Sequence, residues 1–166
     1  MPSPLDGFHE LVSGIDYPMF IVTTVAPDGT KGGCLVGFVT QASIEPPRLV
    51  VCLSKANATF RVAQQAELLA VHFLGRSNME LSRLFGEETG DEIDKFTHCH
   101  WVVGPGGVPL LPGCKGWVAA TIRERFDTGD HVAFLVEPFM ANAERPNETQ
   151  LSFQQVREME PGHPAD

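Results

Sequence analysis

The chain has 166 residues, 43% of them hydrophobic and 20% charged, with a formal net charge of −9. That length predicts one domain with a sizeable core, and that balance excludes a disordered chain. The negative charge argues against a broad basic face for nucleic acid, yet leaves room for one phosphate held by a few local donors.

Met1 to Glu10 carries no basic segment followed by an apolar run, so no signal peptide is expected. No apolar stretch approaches the roughly 18 residues that span a bilayer, and no membrane association is expected. Cys34, Cys52, Cys99 and Cys114 are spread without a C-x-x-C pair. They predict no disulfide scaffold, and the simplest compartment is the reducing cytoplasm.

Residues 18–25 are rich in β-branched and aromatic types and predict a strand. Pro27-Asp28-Gly29 turns the chain, with Gly32-Gly33 as slack. Residues 34–44 predict a second strand, closed by Glu45-Pro46-Pro47, and residues 48–54 a third, buried on both faces. Asn57 is placed to cap a helix of about three turns carrying Phe60, Val62, Ala63 and Ala66. Residues 68–74 return as a strand. Ser77, three before Glu80, reads as a capping box for a helix that Gly86 stops. Acidic residues from Glu87 to Asp94 read as a solvated loop.

Residues 117–126 alternate as a strand with Val118, Ala120, Ile122 and Phe126 on one face. A four-residue loop, Asp127 to Asp130, joins it to a strand from His131, the clearest hairpin in the sequence. A weak last strand is expected over 150–156, and the tail from Glu160 to Asp166 is expected to fray. Six or more strands with two short helices predict one closed or partly closed barrel. No repeat or linker divides the chain, so residues 1–166 are expected to form a single domain with its core at about 15–157.

Three places carry candidate chemistry. Ser54, Lys55, Asn57 and Thr59 cluster where a strand meets a helix start, and suit one phosphate; the plainer reading is a cap and a first-turn residue. His131 follows Gly129-Asp130 at the hairpin mouth. It is either an ordinary strand residue or a donor to a flat heteroaromatic edge. His98, Cys99, His100 and Cys114 supply zinc-type ligands, but their spacing fits no usual zinc pattern. Gly37 inside a strand permits close approach of a backbone or flat ligand. There is no G-x-S-x-G elbow, Walker loop or G-x-G-x-x-G after a strand.

The run GCLVGFVTQASIEPPRLVVCLSKANATF, then LLAVHFL, DKF, GVPLL and GDHVAFLVEP, resembles the flavin reductase-like family of FMN-binding split barrels. The resemblance spans about residues 15–157. It implies a mainly β fold: a six-stranded antiparallel split β-barrel with a few short helices, paired as a homodimer. It implies an NAD(P)H:flavin oxidoreductase using FMN, with FAD as an alternative, that can feed reduced flavin to a partner monooxygenase. The other reading is a split-barrel protein that holds FMN as a fixed prosthetic group without NAD(P)H reductase activity. Carried over by residue, Cys34, Leu35, Val36 and Gly37 border the flavin ring, and Gln41 and Ser43 the ribityl chain or phosphate. Ser54, Lys55, Asn57 and Thr59 hold the phosphate, Lys95 and Phe96 close over the cofactor, and His131 stands near the nicotinamide. Against the family pattern, Leu35 replaces a common Thr, Gly37 and Gln41 a Ser, and His72 an Asn; Leu151-Ser152-Phe153 replaces a Tyr-Gly-Tyr-like strand.

Overall fold

A computed structural model describes residues 1–159. Seven strands form one antiparallel sheet: β1 (Phe20–Val25), β2 (Lys31–Val36), β3 (Val39–Ser43), β4 (Arg48–Ser54), β5 (Leu68–Phe73), β8 (Gly116–Asp127) and β9 (His131–Ala143). Their order is β2-β1-β5-β8-β9-β4-β3. A separate two-stranded ribbon joins β6 (Val102–Val103) to β7 (Pro109–Leu110). The helices are short: α1 (Asp6–Ser13), α2 (Ala58–Ala63), α3 (Met79–Glu87) and α4 (Phe153–Val156). The fold is mainly β, as expected, but the count of six strands and the closed barrel are not what is seen.

The seventh strand comes from a break. Residues 34–44 were expected to run as one strand, but pairing stops after Val36 and resumes at Val39, across Gly37-Phe38. The sheet rolls so that β2 and β4 approach each other without pairing. Cys34 and Val36 share one core with Val51, Leu53, Phe60, Leu69, Val71 and Phe134. The result is a rolled sheet, open along a seam between β2 and β4.

β1 shows why an unbroken apolar run was needed. Phe20 and Val22 enter this core, while Met19 and Ile21 enter a second one with Phe85, Phe96, Leu111 and Leu151. β4 was expected to be buried on both faces. Instead Val51 and Leu53 are buried, while Val50 and Cys52 are only half-buried on the other face. Among the described residues, nothing packs fully over that face.

β8 departs from simple alternation. Register shifts fall between Ala119 and Ala120 and between Ile122 and Glu124. The first leaves Phe139 of β9 as the extra residue and β8 unbroken; the second leaves Arg123 of β8 as the extra residue and flips the β8 faces that follow. Ala120 and Ile122 therefore reach the core, whereas Phe126 stands 46% exposed. Arg125 turns inward in its place, 5.4 Å from the Phe134 ring, donating to Ala63 O and Ala66 O at 3.0 and 2.7 Å.

Local details also differ from expectation. Gly32 and Gly33 are not slack but buried positions of β2. A Cβ on Gly33 would stand 2.6 Å from Phe85 Cε1, so glycine lets the buried Phe85 and Phe96 rings close on the strand. Asn57 does cap α2, accepting from Thr59 N at 2.9 Å, but that helix has only six residues. At the start of α3 the working side chain is Asn78 rather than Ser77. Asn78 accepts from Gly75 N at 2.8 Å and donates to Gly113 O at 2.9 Å. Gly86 lies inside α3 rather than ending it. The expected strand over 150–156 is two isolated bridges, Gly75 with Gln150 and Pro18 with Ser152, followed by α4. The hairpin loop is one residue shorter than expected, because β8 runs through Asp127 and leaves only residues 128–130 before β9. The tail expected to fray lies outside the described residues.

Candidate functional site

A cleft of about 240 Å³ opens along the β2–β4 seam. Cys34, Leu35, Val36 and Gly37 form one wall, and Cys52, Leu53, Ser54 and Asn57 another. His131 closes the hairpin side, Gly86 the α3 side. Tyr17, Met19, Phe38, Phe153, Val156, Arg157 and Met159 complete the lining. Most of these groups are apolar, with a few polar atoms converging, which is the usual character of a small-molecule site.

The hairpin mouth orders the polar end. Lys55 N donates to Asp130 O at 2.9 Å, tying the loop after β4 to the turn before β9. His131 Nδ1 meets Asp130 Oδ1 at 2.7 Å, so Nε2 is the ring nitrogen available to a molecule in the cleft. That hydrogen bond also lowers the Asp130 carboxyl from its ordinary range. The Phe38 ring lies 5.2 Å from the His131 ring. Lys55 Nζ contacts Asp127 Oδ2 at 2.7 Å, and this bond, the largest cause, lowers the Asp127 carboxyl. Burial raises the Cys52 thiol, so it is a neutral wall group.

Gly37 does allow close approach of a flat ring, but within this chain that ring is Tyr17. A Cβ on Gly37 would meet Tyr17 Cε2 at 2.4 Å. Tyr17 in turn stacks on Phe153, with centroids 4.7 Å apart and planes at 16°.

Seven of the residues singled out in sequence line this cleft: Cys34, Leu35, Val36, Gly37, Ser54, Asn57 and His131. Lys55 stands beside them at the hairpin mouth. Gln41 and Ser43 do not line it; they sit on β3, past the break, paired with Leu49 and Arg48. Thr59, Lys95 and Phe96 line a second, more polar cleft of about 520 Å³ beside the β1–β2 turn and α2. Lys95 is buried, and its Nζ donates to Gly33 O and Phe85 O, both at 3.0 Å. It clamps β2 to α3 rather than reaching into the first cleft. The wall formed by Tyr17, Phe38 and Phe153 to Met159 had not been singled out. Its one sequence signal was the Leu151-Ser152-Phe153 departure from the family pattern.

Among the described residues, no group of three or more His, Cys, Asp or Glu side chains is gathered as a metal site. No helix among them is long and apolar enough to cross a membrane.

The flavin reductase like domain matches the chain over residues 12–160. An FMN reductase (NADH) RutF of Stutzerimonas stutzeri is 31% identical over 126 residues, 76% of this chain and 71% of that protein. The reductase component of a flavin-dependent trigonelline monooxygenase from Acinetobacter baylyi is 25% identical over 130 residues, 78% of this chain. This chain spans only 40% of that relative's length. In three dimensions it superposes on a flavin reductase domain protein from Arthrobacter sp. FB24 with a TM-score of 0.81 at 24% identity, over 96% of this chain and 95% of that one. A family pattern that covers nearly every element of the rolled sheet, and a fold that agrees with it, lead to one conclusion: the chain belongs to the flavin reductase like domain family.

Proposed function

We propose that the protein is an NAD(P)H-dependent flavin reductase that binds FMN, or FAD in its place, in the β2–β4 cleft. The observation that carries this reading is the convergence of six expected flavin residues, and of His131 expected beside the nicotinamide, on one apolar cleft with polar groups at one end. The residues fit the group: a neutral wall for a flat ring, and Ser54, Asn57 and Lys55 for a phosphate.

A bound flavin supplies the hydride-accepting chemistry. The chain's own work is then positioning and exclusion of water. Cys34 to Val36 on β2, with Gly37 just after it, would border the ring, and the Cys52 side of β4 would face it. Ser54, Lys55 and Asn57 hold the phosphate end. Asp130 fixes the His131 ring, which offers Nε2 to the nicotinamide amide. Thr59, Lys95 and Phe96 support the walls from behind.

A cleft of about 240 Å³ is small for a drug-sized ligand, whose sites begin at about 300 Å³. We assign the missing wall to a second copy of the chain. Phe38, Ile44, Phe139 and Met140 are exposed apolar residues, and the outer face of β4 is incompletely covered. Sedimentation as a dimer is expected, and sedimentation as a single chain would overturn the homodimer. The product, reduced flavin, suits a monooxygenase that accepts it.

The reading in which FMN stays as a prosthetic group draws on Phe153. That residue stacks on Tyr17 at the cleft instead of lying in a strand.

The phosphate assignment is tested by flavin fluorescence titration. Lys55→Ala combined with Asn57→Ala is expected to weaken FMN on the order of tenfold more than riboflavin, from two lost donors, one of them charged. Equal losses for both flavins would remove the assignment.

A further inference from the structure

We propose that Asp127 is a specificity-determining residue at the phosphate end of the cleft, because its carboxylate already occupies the Lys55 ammonium that a phosphorylated ligand needs. The inference rests on the flavin reading above. Lys55 Nζ lies 2.7 Å from Asp127 Oδ2. The other carboxylate oxygen accepts from Gly129 N at 3.0 Å, so the turn holds the group in place. The backbone bond from Lys55 N to Asp130 O keeps strand and hairpin together, so the pair is built in rather than a chance meeting of long side chains. Asp130 adds a second carboxylate at the same mouth, engaged with His131.

A phosphate carries a charge of about −1.5 to −2 near neutral pH. To reach Lys55 it must displace Asp127 or accept a carboxylate as its neighbour. The side chains of Lys55 and Asp127 are 40% and 71% exposed, so solvent screens the pair and displacement is feasible. The phosphate therefore adds less affinity than an unopposed Lys55 would give it, which favours flavin exchange. That behaviour suits a flavin taken up and released at each turnover.

Asp127→Asn removes the charge while keeping an oxygen for Gly129 N. FMN and riboflavin are titrated against wild type and variant at low salt, with flavin fluorescence as the readout. The FMN Kd is expected to fall roughly tenfold in Asp127→Asn, as for loss of a screened charge contact. The riboflavin Kd is expected to change less than twofold. In Asp127→Asn with Lys55→Gln, the FMN gain is expected to vanish. An FMN Kd that stays or rises in Asp127→Asn would overturn the assignment, as would equal shifts for both flavins. A wild type that binds neither flavin would remove the flavin reading itself. One that binds both, with no FMN-specific effect of the substitution, would remove only the role of Asp127.

Discussion

Lowering the pH from 6.5 to about 4 is expected to reduce the stability of the fold by about 3 kcal/mol through His72 alone. His72 is fully buried on β5. Its Nδ1 meets Ile21 O at 3.0 Å, and its Nε2 accepts from Leu111 N at 3.0 Å. That pairing needs the neutral ring protonated on Nδ1, and burial, the larger cause, brings the group from 6.5 to about 4. Above pH 6.5 the ring is neutral in both folded and unfolded chains, and its contribution is flat. As the pH falls from 6.5 to 4, the unfolded ring takes a proton that the folded ring refuses. Stability then declines by about 1.4 kcal/mol per pH unit. Below about 4 both states are protonated and the decline ends.

The carboxylates whose values are lowered, among them Asp127, Asp130 and Glu137, act lower down. Their ordinary values are 3.8 to 4.5, and their stabilisation is lost only as the pH falls below that range. The window from 6.5 to 5 therefore reports His72. Asn offers N–H donors and a carbonyl acceptor of the kinds these two partners need but does not titrate. Urea midpoints of His72→Asn are expected to be flatter than wild type across that window. Equal slopes in the two proteins would refute the assignment.

The second large effect is on ligand binding. Cys52→Trp is expected to weaken flavin on the order of a hundredfold, which is about 3 kcal/mol. Cys52 is a half-buried wall residue of β4, and an indole there fills much of a cleft of about 240 Å³. The side chain faces away from the core shared by Val51 and Leu53, so the unfolding midpoint should move little. Unchanged flavin affinity in a folded Cys52→Trp protein would mean that flavin binds elsewhere.

How much of this was legible depended on how local the signal was. β1, β4, β5 and the β8–β9 hairpin carry apolar runs or alternation bounded by turn residues, and all four stand close to where they were expected. The break at Gly37-Phe38 was hidden because residues on both sides favour strands; only the glycine marked it. Phe126 was misplaced because a bulge changes the face without changing the composition. α1 was missed although Phe8, Leu11 and Val12 stand at helical spacing; none of them is buried in this chain. At the site, the groups on β2 and after β4 come from one continuous stretch, and the turn before His131 has its own glycine. The opposite wall comes from the far end of the chain. Phe153 and Val156 reach the cleft because Leu151 O accepts from Met19 N and Ser152 bridges Pro18. No local pattern encodes that meeting. Lys95 was singled out only through the family resemblance, as closing over the cofactor; its two carbonyl partners lie on β2 and α3, and these pairings depend on the finished fold.

The central claim is that the cleft presents flavin to a reduced nicotinamide. It is tested most directly by rapid anaerobic mixing of FMN-loaded protein with NADH and, separately, NADPH, following the flavin absorbance band. Bleaching with at least one nicotinamide, lost in Cys52→Trp, is the predicted result. A band that stays unchanged with both would contradict the account.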